Sequence, residues 1–370
     1  MKQRLAIMLN IVAPYRIPIL VQLSRKFDAT ILISGGESNR REWDEYVSRL
    51  KEKYGLLVKQ VAGYTFTLPK KKNNFSWDNK YLHINPGYFI ELFRCSPEAI
   101  ISNEMGFRTI AALAYGMLFR VPVWVWWGGT LYTEQNVSLL KRALRQVIAR
   151  HAKHWISYGA TSTEYLLSLG IPRRRILQIQ NCVDESKYVS FPPPAFVIEP
   201  RPVLLYVGQL IGRKGVRQLL EAASRMQKRE YLFSLLLVGK GSEQESLEEY
   251  VRKIGLQHVH FIPSLPPDEM PAVYRSADCL VFPTQEDVWG LVVNEALWSG
   301  LPVLSSVYAG CTREIVPKAN HFDPFNPNDF DRVLERALEH KLAPADTSPL
   351  IPSHQVAEFI INDINKALSN

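Results

Sequence analysis

Two carboxylates flank the start of a short apolar helix in the segment Glu286-Asp287-Val288-Trp289-Gly290-Leu291-Val292-Val293-Asn294-Glu295-Ala296. The segment follows an apolar run, Cys279 to Pro283, that reads as a buried strand. Gly300-Leu301-Pro302 then closes the helix and opens another strand. In an open α/β sheet, a helix that starts at the carboxyl end of a strand sits where such sheets bind ligands. Its first N–H groups and the positive end of its dipole suit a phosphate. A carboxylate would repel a diphosphate, but it accepts hydrogen bonds well from sugar or ribose hydroxyls beside one. Asp287 precedes the helix, and Glu295 lies about one and a half turns inside it. The bland alternative makes Asp287 a helix cap and Glu295 a solvated side chain.

A second constellation has complementary charge. Gly208-Gln209-Leu210-Ile211-Gly212-Arg213-Lys214-Gly215 is a glycine-rich turn between a strand and a helix. Glycines let backbone approach a phosphate closely. Arg213 and Lys214 offer positive charge to a departing diphosphate; the alternative is a turn with two solvated cations. In the first half of the chain, Asn10 to Arg16 forms the loop after the first strand, so Tyr15 and Arg16 are acceptor-side candidates. Glu104 stands similarly after another strand. Trp127 and Gly128 end a strand in a glycine turn, where Trp127 either stacks on a sugar ring or packs in the core. His258 and His260 read as strand residues with satisfied side chains and receive no catalytic role.

These groups must be positioned by elements, and the chain alternates strands and helices throughout. Leu5–Leu9, Ala29–Ser34, Ala99–Ser102, Val121–Trp127 and His154–Tyr158 read as strands of a first domain. Val203–Val207, Phe233–Val238, His258–Phe261, Cys279–Phe282 and Val303–Ser305 read as strands of a second. Helical runs separate them, and Val356–Leu368 is a last helix. Strands alternating with helices argue for parallel sheets. The expected division is a first domain over 1–190, a linker over 191–202 marked by Pro192-Pro193-Pro194, a second domain over 203–350, and a final helical segment over 351–370. Three consecutive prolines fit neither a sheet nor a helix interior.

The 370 residues suffice for two domains, and 46% hydrophobic against 22% charged content excludes a disordered chain. A net charge of +8 suits anionic partners: nucleotide phosphates or an acidic membrane surface. No aromatic-rich basic module points to nucleic acid. The four cysteines are widely spaced and make no metal pattern with the histidines, so reduced thiols and a cytoplasmic setting are expected. No run of 18 or more apolar residues is present. Leu139 to Arg150 is apolar at helical spacing with cations between, which suits either a domain helix with one buried face or a peripheral contact with anionic lipid. Pro69-Lys70-Lys71-Lys72 could add to that attraction.

The donor-side segment resembles the signature of retaining GT-B glycosyltransferases of family four, the glycosyl transferases group 1. There, two acids with the separation of Asp287 and Glu295 bracket an aromatic-Gly pair, here Trp289-Gly290. Glu-Ala and Gly-Leu-Pro-Val follow, here Glu295-Ala296 and Gly300-Leu301-Pro302-Val303. Asn181-Cys182-Val183-Asp184, Lys214-Gly215, Val238-Gly239-Lys240-Gly241 and Tyr274 with Ala277-Asp278 match in order, covering roughly 170 to 315. The usual first acid is Glu; here it is Asp287, and Glu286 is the alternative occupant of that position. Gln209 stands where Arg is usual, and no His stands near Trp127, where many relatives have one.

The resemblance implies two Rossmann-like domains facing across a central cleft, with the last helix crossing back to the first. It implies that Glu295 binds the ribose and Asp287 faces the donor sugar. Lys214 and Arg213 would stabilise the leaving diphosphate, and amides near Leu291 and Val292 would touch it. The turn Gly208, Gln209 and Gly215 would lie against the phosphates, and the backbone of Ile262 and Pro263 would meet the nucleobase. The implied activity is sugar transfer from a nucleotide-diphosphate sugar to a hydroxyl of a glycan or lipid-linked acceptor, retaining and without metal or other cofactor, in bacterial envelope polysaccharide synthesis. Two rival readings are a catalytically weakened partner subunit and a nucleotide-sugar epimerase on the same fold.

Overall fold

The structure, a computed structural model, describes residues 2–34, 43–68 and 80–369. They divide into two compact units, Met1–Cys182 with Ile351–Asn370, and Val183–Leu350. Pro69 to Lys72 lies outside the described residues.

The first unit is built on β1 (Arg4–Leu9), β2 (Asp28–Ile33), β3 (Leu57–Gln60), β4 (Tyr64–Leu68), β5 (Lys80–Ile84), β6 (Ala99–Asn103), β7 (Val123–Trp127), β8 (His154–Tyr158) and β9 (Ile176–Ile179). Seven of these form one sheet in the order β3-β2-β1-β6-β7-β8-β9, every pair parallel. β4 and β5 make a separate antiparallel pair. The helices are α1 (Ile17–Lys26), α2 (Trp43–Tyr54), α3 (Gly87–Cys95), α4 (Phe107–Phe119), α5 (Leu139–His151) and α6 (Gly159–Ser168). Covered on both faces, as parallel sheets are, β1 beyond Arg4 and all of β6 and β7 are buried without alternation. Trp124, Trp126 and Trp155 are wholly buried in this sheet.

The second unit carries β10 (Val203–Val207), β11 (Ser234–Val238), β12 (Val259–Ile262), β13 (Cys279–Phe282), β14 (Val303–Ser306) and β15 (His321–Phe322). Its helices are α7 (Val216–Lys228), α8 (Gln244–Ile254), α9 (Met270–Tyr274), α10 (Leu291–Trp298), α11 (Thr312–Ile315) and α12 (Pro327–Leu338). The sheet is parallel, in the order β12-β11-β10-β13-β14-β15. Renumbered from its own first strand this is 3-2-1-4-5-6, the doubly wound order of dinucleotide-binding folds. Its switch point falls between β10 and β13, where two neighbouring strands send their connections to opposite faces and leave a crevice.

The residues expected to form a linker over 191–202 belong to the second unit. Residues from Val183 onward already pack on the second unit: Lys187 pairs with Asp268 at 2.5 Å, and Ala195 N–H donates to the Ala272 carbonyl at 2.9 Å. The triple proline therefore lies within the second unit, held by hydrogen bonds from the residues that follow it. The last helix, α13 (Ser353–Leu368), returns to the first unit. There the Trp124 indole donates to Asp363 at 2.7 Å, and Ile351 N–H donates to Gln180 Oε1 at 3.0 Å.

Candidate active site

The glycine-rich turn leaves β10 at Gly208 and reaches α7 through a single 3-10 turn, Gly212–Lys214. The buried Tyr206 hydroxyl braces it by donating to the Gln209 carbonyl at 2.7 Å. Gly215 is required where it stands: its φ is +70°, and a Cβ there would lie 2.0 Å from the Pro283 carbonyl. That close approach lays the turn against the end of β13. Gln285 N–H donates to the Arg213 carbonyl at 2.8 Å, and the Arg213 guanidinium donates back to the Glu286 carbonyl at 3.2 Å. The two loops at the switch point are thus tied through backbone, and Arg213 itself is exposed.

Lys214 points inward. Its side chain is only 12% exposed, its ammonium is ion-paired with the Asp287 carboxylate, and it stands 5.7 Å from the centre of the Phe282 ring. Asp287 is held by its own loop: Oδ1 accepts from Trp289 N–H at 3.2 Å, and its backbone exchanges hydrogen bonds with Tyr308 and Gly310. Trp289 is an anchor, not a ligand platform. Its ring is 1% exposed and its indole donates to Asn294 Oδ1 at 2.8 Å. Gly290 then caps α10 with a φ of +104°, and a Cβ there would meet the Phe282 ring at 2.6 Å. With glycine as cap, no side chain makes a capping hydrogen bond at the amino end of α10. Val293 N–H turns back to the Gly290 carbonyl, and the amides of Leu291 and Val292 remain as donors beside Lys214's loop.

Glu295 is half-buried on α10 and accepts a hydrogen bond from the Tyr274 hydroxyl at 2.6 Å. Burial pushes its carboxyl up, against the hydrogen bonds from Tyr274 and Tyr188, which pull it down. Both tyrosines are buried, and their rings meet edge-on at 6.0 Å. Tyr188 escaped the sequence reading, because it sits in an irregular stretch assigned to the other domain. Ile262 ends β12, with its carbonyl accepting from Gly239 N–H at 2.9 Å, and Pro263 follows it, exposed. So Gly208, Gln209, Arg213, Lys214, Gly215, Asp287, Leu291, Val292 and Glu295 gather around the carboxyl edge of one sheet.

In the first unit, the candidates divide. Tyr15 and Arg16 occupy a 3-10 turn after β1. Arg16 is buried: it donates to Asn103 Oδ1 at 2.9 Å and lies 5.1 Å from the centre of a Trp126 ring. Glu104 is exposed at the end of β6 with a φ of +69°, and its N–H donates to the Trp126 carbonyl at 2.9 Å. Trp127 is a core residue. Tyr165 stacks on it at 5.8 Å, the Arg145 guanidinium lies 5.0 Å from its ring centre, and its indole donates to the Gly129 carbonyl. Sugar stacking on Trp127 is therefore replaced by packing, because α5 and α6 already occupy its surface. Gly128 follows β7, half-buried against Tyr158.

Comparison with known proteins bears on the family and the fold. Residues 193–349 match the model of the glycosyl transferases group 1 family. The sulfoquinovosyl transferase SQD2 of Arabidopsis thaliana is 26% identical over 278 residues, 69% of this chain and 52% of that protein. The lipopolysaccharide glucosyltransferase WaaG of Escherichia coli K12 is 30% identical over 145 residues, 38% of each chain. The chain thus matches between about two fifths and half of the length of these curated relatives. Among solved structures, Anabaena HepE in complex with UDP and glucose superposes with a TM-score of 0.67 at 16% identity, over 99% of this chain and 98% of that one.

Proposed function

We propose that this chain is a retaining glycosyltransferase of the glycosyl transferases group 1, a reading supported by the match of residues 193–349 to that family's model and by a GT-B fold of two parallel-sheet Rossmann-like domains. It takes a sugar from a nucleoside-diphosphate sugar and passes it to a hydroxyl of a glycan or lipid-linked acceptor. The observation that carries this reading is the Lys214–Asp287 ion pair at the switch point of the second sheet, beside the open amino end of α10.

The chemistry follows from what those groups can do. The diphosphate binds the amides of Leu291 and Val292, where the helix dipole favours negative charge. Lys214 leaves Asp287 for the diphosphate as negative charge develops on it, and Arg213 adds a second cation from solvent. Asp287, released from Lys214, accepts hydrogen bonds from the donor sugar, and Glu295 accepts them from the ribose. The bond from the anomeric carbon to the diphosphate breaks with its electron pair going to the phosphate oxygen. The acceptor oxygen bonds to the same face of that carbon, and its proton passes to the departing phosphate. No side chain at the site is placed as a covalent nucleophile in this scheme, and the cations with the helix dipole take the part that a metal would otherwise play.

A peripheral contact with an anionic membrane, as on the inner face of a bacterial envelope, belongs to the same proposal. Leu139 and Leu140 at the start of α5 are 79% and 81% exposed, and Lys141, Arg142 and Arg150 share that helix. Ile90, Phe93, Met117, Leu118 and Phe119 add exposed apolar surface on α3 and α4. No helix among the described residues is long and apolar enough to cross a membrane. The likeness to HepE, whose structure holds UDP and glucose, supports UDP as the nucleotide to try first. The test is thermal stabilisation of the chain by a panel of nucleoside diphosphates and their sugars, followed by turnover with glycan and lipid acceptors. Stabilisation by one nucleotide family that Glu295→Gln abolishes supports the reading. Response to none of them sinks it, and sugar conversion without acceptor would make the protein an epimerase.

A further inference from the structure

The sheet of the first unit has a switch point of its own, between β1 and β6, where strand order reverses. Two buried arginines stand at that edge. Arg16, in the turn after β1, gives one nitrogen to Asn103, and its Nε is buried without a partner. Arg108 lies in the first turn of α4, after β6, and is 7% exposed. Its Nε and Nη1 are buried without a hydrogen-bond partner, and among the described residues no carboxylate forms an ion pair with it. A guanidinium cannot escape this cost by losing its proton. A buried, unpaired charge is among the most costly features a fold can keep.

Its surroundings say what is missing. α4 has glycine, Gly106, as its cap, and no side chain makes a capping hydrogen bond there. The amides of Thr109 and Ile110 turn to the Gly106 carbonyl at 3.0 and 3.1 Å, which leaves those of Phe107 and Arg108 as donors. Next to this edge, the Tyr88 hydroxyl donates to the Leu9 carbonyl at the end of β1 at 3.0 Å, and it feels the Arg108 charge. Arg108 is the second residue of α4, which follows the carboxyl end of β6 through the turn at Glu104 to Gly106. Asn85 begins the same turn: its amide nitrogen donates to the Ser34 carbonyl at 3.2 Å, while its Oδ1 is buried with no partner. Glu104, whose charge acts on Arg16, is exposed. Orphaned donors with positive charge, a helix amino end and one orphaned acceptor together fit a phosphate that carries or adjoins a hydroxyl.

We propose that this edge is a binding subsite for a phosphate ester of the acceptor, held by Arg108 and the amides of Phe107 and Arg108, with Arg16 and Asn85 at its rim. Only the word acceptor rests on the transferase reading; the site itself stands on the orphaned groups. The subsite selects acceptors that bear a phosphomonoester near the hydroxyl that receives the sugar.

The experiment uses the full chain and its Lys214→Met, Arg108→Met and Arg108→Lys variants, with melting followed at constant ionic strength. Inorganic phosphate and glycerol 3-phosphate are the soluble probes. Vesicles containing phosphatidic acid, against phosphatidylglycerol at equal charge, are the lipid probes. We expect phosphate to stabilise Lys214→Met as it does the parent, and to bind Arg108→Met about tenfold or more weakly. Without ligand, Arg108→Met should melt no lower than the parent, because it removes an unpaired buried charge. If it does not fold, Arg108→Lys decides: it keeps the charge but loses the fork and should bind more weakly. A response to glycerol 3-phosphate assigns the site to a soluble ester, and a response to phosphatidic acid alone assigns it to a lipid. Response to neither, or a phosphate response that Lys214→Met abolishes and Arg108→Met keeps, overturns the proposal. Nucleoside-diphosphate binding, read in the same variants, should survive Arg108→Met; its absence in the parent would refute the donor reading and leave this site untouched.

Discussion

Replacing Lys214 by methionine tests the central argument, because that ammonium has two partners in succession. In the free chain it is paired with Asp287, both side chains being more than four-fifths shielded from solvent at 12% and 17% exposure. A hydrogen bond between charged groups contributes about 1.5–3 kcal/mol net, so Lys214→Met should lower stability by roughly that amount. Asp287 keeps the Trp289 N–H, which moderates the loss. In the complex Lys214 moves to the diphosphate, so nucleoside-diphosphate affinity should fall by about 10- to 100-fold. If its charge is used chiefly on the leaving group, turnover should fall by a further factor of about 10² to 10³, as for removal of one preorganised donor to a developing oxyanion. Asp287→Asn makes the opposite perturbation. It frees Lys214 and removes a carboxylate beside the phosphates, so the nucleoside diphosphate should bind more tightly, by about fivefold for 1 kcal/mol. Turnover should nevertheless drop, since the sugar loses its acceptor. Titration calorimetry with the responding nucleotide, and kcat against KM in both variants, read these quantities separately. Unchanged nucleotide affinity in Lys214→Met, or weaker binding in Asp287→Asn, would show that the ion pair is merely structural.

Glu295 carries a pH signature. Burial raises its carboxyl, so the proton is bound more tightly in the folded chain than in the unfolded one. The sign follows: this group's contribution to stability is present at low pH and lost as pH rises through its folded value. Glu295→Gln should therefore melt no lower than the parent at pH 7, with any advantage fading on acidification, while nucleotide affinity drops. In the parent, that affinity should fall on acidification from above the ordinary glutamate range, and Glu295→Gln should lack the step; calorimetry between pH 5 and 8 tests it. Gly290→Ala places a Cβ 2.6 Å from the Phe282 ring at a φ of +104°, so denaturant melts should show a loss of about 1–3 kcal/mol. A chain of parent stability would mean that the loop has room to shift. Changing Leu139 and Leu140 to Asp should cost little stability, because both are exposed, yet cut sedimentation with anionic vesicles about tenfold or more.

Much of the architecture was legible because buried parallel strands declare themselves. Val203–Val207 and Cys279–Phe282 are unbroken apolar runs bounded by turn residues, and the structure keeps those ranges. β3 was not legible: it is an edge strand with partly exposed residues and no apolar run. α12 was missed although its signal is present, with Asn326 capping, Pro327 at the first position and Phe330, Val333, Leu334 and Ala337 buried at helical spacing.

Local spacing alone determined that a helix starts between two acids after a strand, and that a glycine turn carries Arg213 and Lys214. It also determined the alternation that makes both sheets parallel. Spacing could not say that Lys214 meets Asp287, 73 residues away, or that Glu295 rests on Tyr274. Those meetings depend on strand order, since β10 lies beside β13 only because the order in which strands are added reverses there. Whether a polar side chain is paired or orphaned is decided by packing from every direction at once. Trp127 was therefore open until Tyr165 and Arg145 covered it, and Arg108 passed unnoticed until burial left two of its guanidinium nitrogens without a partner.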